Sequence, residues 1–315
     1  MKTTFLQESL YLLKSKISRV VLVIICLLVA FAGFQAVNTQ ADSWQAFKIT
    51  RGMYQSSAEF NQDIQKPYQI QQQSNRFGQV STTVDNSARY NYENVIHSQN
   101  QLHSIEFTRF LFGSLGLVLF PLLTGILGIS IAIHDFASAT YKRKLDNHTW
   151  LAVFSGKVLT LFAATAAIYV LAAVLASLLG LILPHFVKLR DLSEYGISLQ
   201  ALNAGDMILT VLVACLIGVV TALIWFSVGL ICKRSSIAIV IFLIYQAVIP
   251  NLGRTDFKNA IMSLFSRFTN QLVLEPWPYR SISLPLSLGL TAEYVFGALI
   301  LGYFIFSKKH INSLS

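Results

Sequence analysis

Long apolar runs separated by polar stretches organise this chain. Residues 20–37, 110–133, 158–183, 207–231, 236–250 and 286–306 are nearly unbroken series of Leu, Ile, Val, Ala, Phe and Gly. About 20 apolar residues at about 1.5 Å each cross a hydrocarbon layer of about 30 Å. The pattern therefore predicts an all-α polytopic membrane protein with six transmembrane helices. Residues 236–250 barely reach across, so that run is expected to continue into irregular or re-entrant structure buried by protein. In 110–133, Gly113, Gly116, Gly125 and Gly128 suit close helix approach, and Pro121 suits a kink. The Ala-rich run 158–183 reads as a packing helix ended by Pro184.

The polar stretches carry their own periodicities. In residues 1–19, Phe5, Leu6, Leu10, Leu13 and Ile17 recur at steps of three and four, with Gln7, Glu8, Lys14, Lys16 and Arg19 between them. That is an amphipathic helix suited to the membrane interface. The alternative, the n-region of a signal peptide with 20–34 as its apolar core, needs an unusually long n-region. Residues 38–109 are rich in Gln, Asn and Ser, yet carry Trp44, Phe47, Tyr54, Phe60, Tyr68, Phe77, Tyr90 and Tyr92. A disordered tract lacks such aromatics, so a mainly helical insertion between spans 1 and 2 is expected to pack on itself or on a second copy. Lys66-Pro67 and Phe77-Gly78 read as its turns. Residues 184–206 form a polar loop, and 232–235 a tight turn. In 251–285, Phe257, Ala260, Ile261, Leu264, Phe265 and Phe268 form an apolar stripe opposite Lys258, Asn259, Ser266 and Arg267. Thr255 or Asp256 can cap that short helix, which is expected in the outer interface.

Composition sharpens the class. Of 315 residues, 54% are hydrophobic and only 12% charged, against about 25% charged in soluble domains, and the mean hydropathy is +0.57. The net charge of +9 reads as basic residues held on one membrane face, since no basic and aromatic stripe for nucleic acid lies outside the apolar pattern. Lys2, Lys14, Lys16 and Arg19, then Lys142, Arg143, Lys144 and Lys157, then Lys233-Arg234 and Lys308-Lys309 share one side if there are six spans. That side is the cytoplasm. Both termini inside, residues 38–109 outside and 307–315 as a cytoplasmic tail are the expectation. Cys26, Cys215 and Cys232 fall in or at the ends of apolar runs and read as small fillers.

No catalytic or metal-binding motif is present. There is no GxxxxGK[ST] phosphate loop, since Ser155-Gly156-Lys157 lacks the upstream glycine, and no HExxH. The histidines lie in loops or at span edges, so this chain is expected to be no enzyme. Glu293 is the one ionisable residue well inside a predicted span, a candidate functional carboxylate by default. The chemistry concentrates instead in the polar interruption 134–157. It opens with Asp135, continues through Ala139-Thr140-Tyr141 and Lys142-Arg143-Lys144, and closes on Gly156-Lys157.

This arrangement resembles the permease subunits of the type 2 class of ABC transporters. There an acidic residue closes the second span, a Gly-Thr pair begins a short coupling helix, and a Gly-Lys pair opens the third span. Ala139 stands here for the glycine, and Asn147-His148-Thr149 for a turn that commonly bears Pro and Arg. The whole-chain plan is similar as well: an interface helix, six spans, and an outer helical segment between spans 5 and 6. The resemblance implies a membrane subunit of an exporter, paired with a second permease copy or homologue and with two copies of a separate ATPase. That ATPase would hold ATP and Mg²⁺, leaving no cofactor in this chain. Spans 2 and 5 would line the route for a hydrophobic or amphipathic cargo. Two other classes remain: a non-transporting sensor or immunity protein that binds a ligand through 38–106, and an ion-coupled carrier using Glu293.

Overall fold

The computed structural model describes residues 2–74, 80–113, 116–137, 140–189, 192, 195, 204–268 and 279–311. Among the described residues, five helices are long and apolar enough to cross a membrane: α2 (Lys16–Gly52), α6 (Gly116–Ala137), α8 (Trp150–Phe186), α9 (Ala204–Cys232) and α12 (Leu284–Ile311). Their outward positions are apolar, including Leu22, Leu27, Phe162, Val170, Leu212, Phe296 and Phe304. A water-soluble protein would not present such continuous apolar faces. The chain is thus a helical polytopic membrane protein. A sixth apolar stretch, Ser235–Val248, is shorter.

The chain divides into two compact units. The first comprises Met1–Leu28, Leu111–Val174 and Ile208–Ser315. In it α6 and α9 approach backbone to backbone, because a Cβ at Gly128 would lie 2.3 Å from the Ala222 carbonyl oxygen. A Cβ at Gly125 would strike the Phe242 ring at 2.5 Å, so this glycine makes room for an aromatic side chain of the next apolar segment. Tyr169 stacks on Phe112 with centroids 5.5 Å apart and packs at 5.3 Å on Phe120. Pro121 lies inside α6.

α9 turns into α10 (Ser235–Leu243) through Lys233, which takes the left-handed conformation at φ 57°. α10 ends in a π-helical turn, Ile244–Val248. An irregular stretch follows, and then α11 (Phe257–Phe265), capped by the Asp256 side chain on the Lys258 amide. The polar face expected on α11 is corrected: Lys258 and Asn259 are 3% and 0% exposed. The stripe pattern registered their polarity but not their partners, which come from residues 245–254 and 280. Arg267, by contrast, is exposed.

Boundaries also move. The expected single helix over 1–19 is two, α1 (Lys2–Lys14) and the start of α2, because Ser15 breaks the ladder and its hydroxyl turns back to the Leu12 carbonyl at 2.7 Å. Ile17 therefore belongs to α2. At the other end Pro184 does not stop α8, which runs on to Phe186.

The second unit comprises Val29–Phe110 and Leu175–Met207. α2 runs on to Gly52, and α3 (Ser57–Gln65), α4 (Ser87–Asn100) and α5 (Ser104–Gly113) follow. The insertion is not wholly helical. β1 (Ile70–Ser74) and β2 (Val80–Val84) form an antiparallel ribbon in which Ile70 faces Val84 and Ser74 faces Val80. Phe77-Gly78 lies outside the described residues. Caps at Ser56 and Asn86 start α3 and α4. The aromatics do form a core: Phe47, Phe60, Ile64, Tyr92 and Val95 bury one another. Tyr195, from the predicted loop 184–206, joins them and makes edge contacts to Phe47, Phe60 and Tyr92 at 5.8, 6.0 and 5.5 Å.

Candidate functional site

The first unit holds a closed ring of four charges drawn from four segments. Asp135 ends α6, Lys144 lies on the short α7 (Tyr141–Asn147), Lys157 lies in the second turn of α8, and Glu8 comes from α1. Lys144 Nζ donates to Glu8 Oε1 at 2.5 Å and to Asp135 Oδ1 at 2.6 Å. Lys157 Nζ lies 2.8 Å from Asp135 Oδ2 and 3.4 Å from Glu8 Oε2. Each of the four carboxylate oxygens thus meets a lysine, and each lysine bridges both acids. The ring is neutral and largely buried: the side chains of Asp135 and Lys157 are each 1% exposed and that of Glu8 is 5% exposed, while Lys144 reaches solvent at 22%. Two further bonds complete it, Thr140 Oγ1 to Asp135 Oδ1 at 3.1 Å and Lys157 Nζ to the Ile131 carbonyl at 3.0 Å.

Burial disfavours the Lys144 ammonium, but its hydrogen bonds to Asp135 and Glu8 outweigh that and raise its pKa above the ordinary lysine value. Burial, followed by the charges of Asp135 and Glu8, raises that of the Tyr11 phenol. The Tyr11 ring stacks on His134 with centroids 3.5 Å apart, so α1 is held to the end of α6 by ring contact as well as by charge.

Gly156 explains how α1 comes so close. A Cβ there would lie 2.8 Å from Thr4 Oγ1 and 3.3 Å from the Phe5 amide nitrogen. One turn to either side, the Ala152 carbonyl accepts from Thr4 Oγ1 at 3.0 Å and Thr160 Oγ1 donates to the Phe5 carbonyl at 3.4 Å. The Gly-Lys pair therefore has two tasks: Gly156 admits α1, and Lys157 pins its Glu8. The face of α1 turned inward is the polar one, Thr4 and Glu8, while Leu6, Leu10 and Leu13 are exposed and Phe5 is half-buried. That inversion suits a helix whose free side meets lipid.

Of the residues singled out in the sequence, Asp135, Thr140, Lys144, Gly156 and Lys157 converge here. Ala139 lies outside the described residues, as do the side chains of Tyr141, Lys142 and Arg143. Glu8, Tyr11 and His134 were missed as site residues. Thr4, Glu8 and Tyr11 share a face at steps of four and three, a signal that was present but hidden beneath the stronger apolar stripe. Glu293 is elsewhere: it stands exposed on α12. Among the described residues no group of three or more His, Cys, Asp or Glu side chains could hold a metal ion. The ring has no nucleophile and no open coordination position; what it can do chemically is fasten four segments into one rigid piece. Compared with models of known protein families, with curated proteins and with solved structures, the chain matches none.

Proposed function

We propose that this chain is the membrane-spanning permease subunit of a bacterial ABC exporter, moving a hydrophobic or amphipathic cargo such as a drug, an antimicrobial peptide or a lipid. The observation that carries the reading is the charge ring. A separate ATPase can drive a membrane subunit only by pushing on something stiff at the membrane surface that is firmly joined to the spans. α7 is such an element, a short helix between two long ones; Lys144 ties it to Asp135 of α6 and Glu8 of α1, the same two acids that Lys157 of α8 meets. A push on α7 is then delivered to two spans and to the interface helix as one body. In this reading the ring faces the cytoplasm, the basic segments follow the positive-inside rule, and the second unit's aromatic core lies outside. The fifth crossing is α10, the π turn and α11 taken together, which gives six spans with both termini inside. ATP and Mg²⁺ belong to the ATPase partner, expected in two copies beside two permease subunits.

Copurification with the candidate ATPase tests this. A stoichiometric ATPase should copurify with the wild-type chain and be lost when residues 141–145 are replaced by a Gly/Ser stretch. Partner binding and ATP turnover that survive the replacement would remove the coupling role from α7.

A second reading has one observation behind it. The second unit carries an open hollow lined by Ala58, Asn61, Gln62, Gln65, Lys66 and Tyr195, which suits a non-transporting sensor or immunity protein with an external ligand. That reading expects no ATPase partner at all, so the same copurification separates the two.

A further inference from the structure

The interrupted segment after α10 contains a second built polar site, unrelated to the charge ring. Its direction follows from its neighbours. α10 leaves the end of the bundle where Lys233 lies over the Phe136 ring, and Phe242 then meets Gly125, further along α6. α11 lies antiparallel to α12. Ser263 bonds Ile282, Ser287 donates to the Ala260 carbonyl, and Phe257 packs on Tyr294. α12 itself returns to the starting end, where Phe306 packs on Trp150 and Phe136. α10, the π turn and α11 therefore advance in one direction and make a single crossing broken between Val248 and Phe257. The first half is about 20 Å long and the second about 13 Å, and the start of the second lies beside the end of the first.

A broken helix inside a membrane must satisfy the carbonyls it frees. Here one side chain meets three of them. Lys258 Nζ donates to the Ile249 carbonyl at 2.7 Å, to the Gln246 carbonyl at 3.3 Å, and at short range to the Tyr245 carbonyl. It also lies 4.6 Å from the centre of the Tyr245 ring. Asp256 shapes the same break from the other side. Its Oδ1 accepts from the Tyr245 hydroxyl at 2.7 Å and from the Lys258 amide, and its Oδ2 from the Leu252 amide at 2.7 Å. Gly253, at φ +124°, lets the chain turn between them.

Converging main-chain carbonyls at the negative end of a half-helix are the donor set with which discontinuous membrane helices bind small monovalent cations. The aromatic face adds cation attraction. We propose that the carbonyls of Tyr245, Gln246 and Ile249, with the Tyr245 ring, form a monovalent-cation cage whose occupant is the Lys258 ammonium. The protein supplies its own ion on a tether. A cage of this kind in an ion-coupled carrier would exchange its cation with the surrounding solution; here the cation cannot leave, and the break stays closed whatever the ionic conditions. This inference does not depend on the exporter reading.

The test is to remove the tethered ion and offer free ones. Lys258→Ala vacates the cage and leaves its carbonyls, while Lys258→Met fills most of the volume without charge. Thermal unfolding of the full chain in detergent is followed by tryptophan emission, since Trp225 packs 5.9 Å from Tyr245. Ammonium, methylammonium, Na⁺ and K⁺ are titrated at constant ionic strength against the bulky tetramethylammonium. The wild type should not distinguish these cations. Lys258→Ala should melt lower and regain several degrees, saturably, with at least one small cation and not with tetramethylammonium, as expected for a ligand that binds only the folded state. Lys258→Met should melt lower without recovery. An Ala variant that ignores every small cation, or responds equally to tetramethylammonium, overturns the proposal, as does a wild type that responds like the Ala variant. If Lys258→Ala yields folded protein only when a small cation is present throughout purification, the proposal stands; if none of them recovers it, the proposal falls.

Discussion

Asp135 and Lys157 are the residues on which most depends, because neither has water to fall back on. Removing one partner of a buried pair strands the other, which typically costs about 3–5 kcal/mol. Asp135→Ala should therefore destabilise the first unit by about that much in denaturant unfolding. Glu8→Gln, which keeps shape and hydrogen-bonding capacity beside the more exposed Lys144, should cost clearly less. If both variants cost under about 1 kcal/mol, the ring is a surface ornament. The raised pKa of Lys144 fixes the sign of the alkaline response. Its contribution is complete below the ordinary lysine value of 10.5 and is lost as pH rises through the higher folded value. Stability from this contact should thus be flat across neutral pH and decline only in strong alkali, a decline that Lys144→Met removes. Gly156 makes a steric prediction. Gly156→Ala drives a methyl group into Thr4 and should cost about 1–3 kcal/mol, with α1 becoming more open to proteolysis. Thr4→Ala should restore part of the loss, since it removes the atoms nearest the new methyl group.

At the scale of elements, legibility followed periodicity. α2, α6, α8, α9 and α12 each carry an apolar run long enough to identify a membrane helix, and each exists. The shortness of 236–250 signalled irregular structure at its end, and an irregular stretch does follow the π turn, but it is not buried as expected: Val248 and Leu252 are 72% and 73% exposed. The polarity of Lys258 and Asn259 misled, because a one-dimensional stripe records only that a residue is polar and not that its partner lies thirteen residues back or twenty-one ahead. The second unit shows the same limit: its aromatics announced a core, whereas Tyr195, far along the chain, is part of that core only in three dimensions. On α4, burial followed by the nearby Arg109 charge lowers the His97 pKa against the opposing pull of Glu93. A neutral folded-state histidine contributes stability above its ordinary value of 6.5 that is lost as pH falls through the lower folded value. Acidification below about pH 6.5 should loosen the second unit, and His97→Gln should flatten that response. Hydrogen exchange on α4 between pH 7.5 and 5 measures it.

For the whole molecule, the proposed orientation places the basic turn at Lys233 inside the cell and Lys66 outside. Single cysteines replacing Lys233 and Lys66, in a background without Cys26, Cys215 and Cys232, should react with an impermeant maleimide from opposite sides. Position 66 should label in intact cells and position 233 only after lysis; labelling of both in intact cells would refute the six-span topology. Glu293 belongs to this scale too, because it stands exposed on α12 and is no part of the charge ring. Glu293→Gln should leave assembly intact, and ATP-driven export should persist with the proton gradient collapsed. Loss of export under either condition would favour an ion-coupled carrier.

By itself the amino-acid sequence determined that this chain belongs in a membrane, which stretches are apolar and long enough to form membrane helices, and that residues 134–157 hold the densest polar chemistry between two apolar runs. Those properties are local: apolar run length and charge spacing act within a few turns, so they can be read in one dimension. Only the tertiary structure decided that Glu8 closes a ring with Asp135, Lys144 and Lys157, that Gly156 exists to admit α1, and that Lys258 caps a broken helix. Each of these joins groups distant in the chain, and each is stable only because burial removes the water that would otherwise satisfy a charge. Burial of that kind is a property of the packed fold and cannot be assigned to any segment alone.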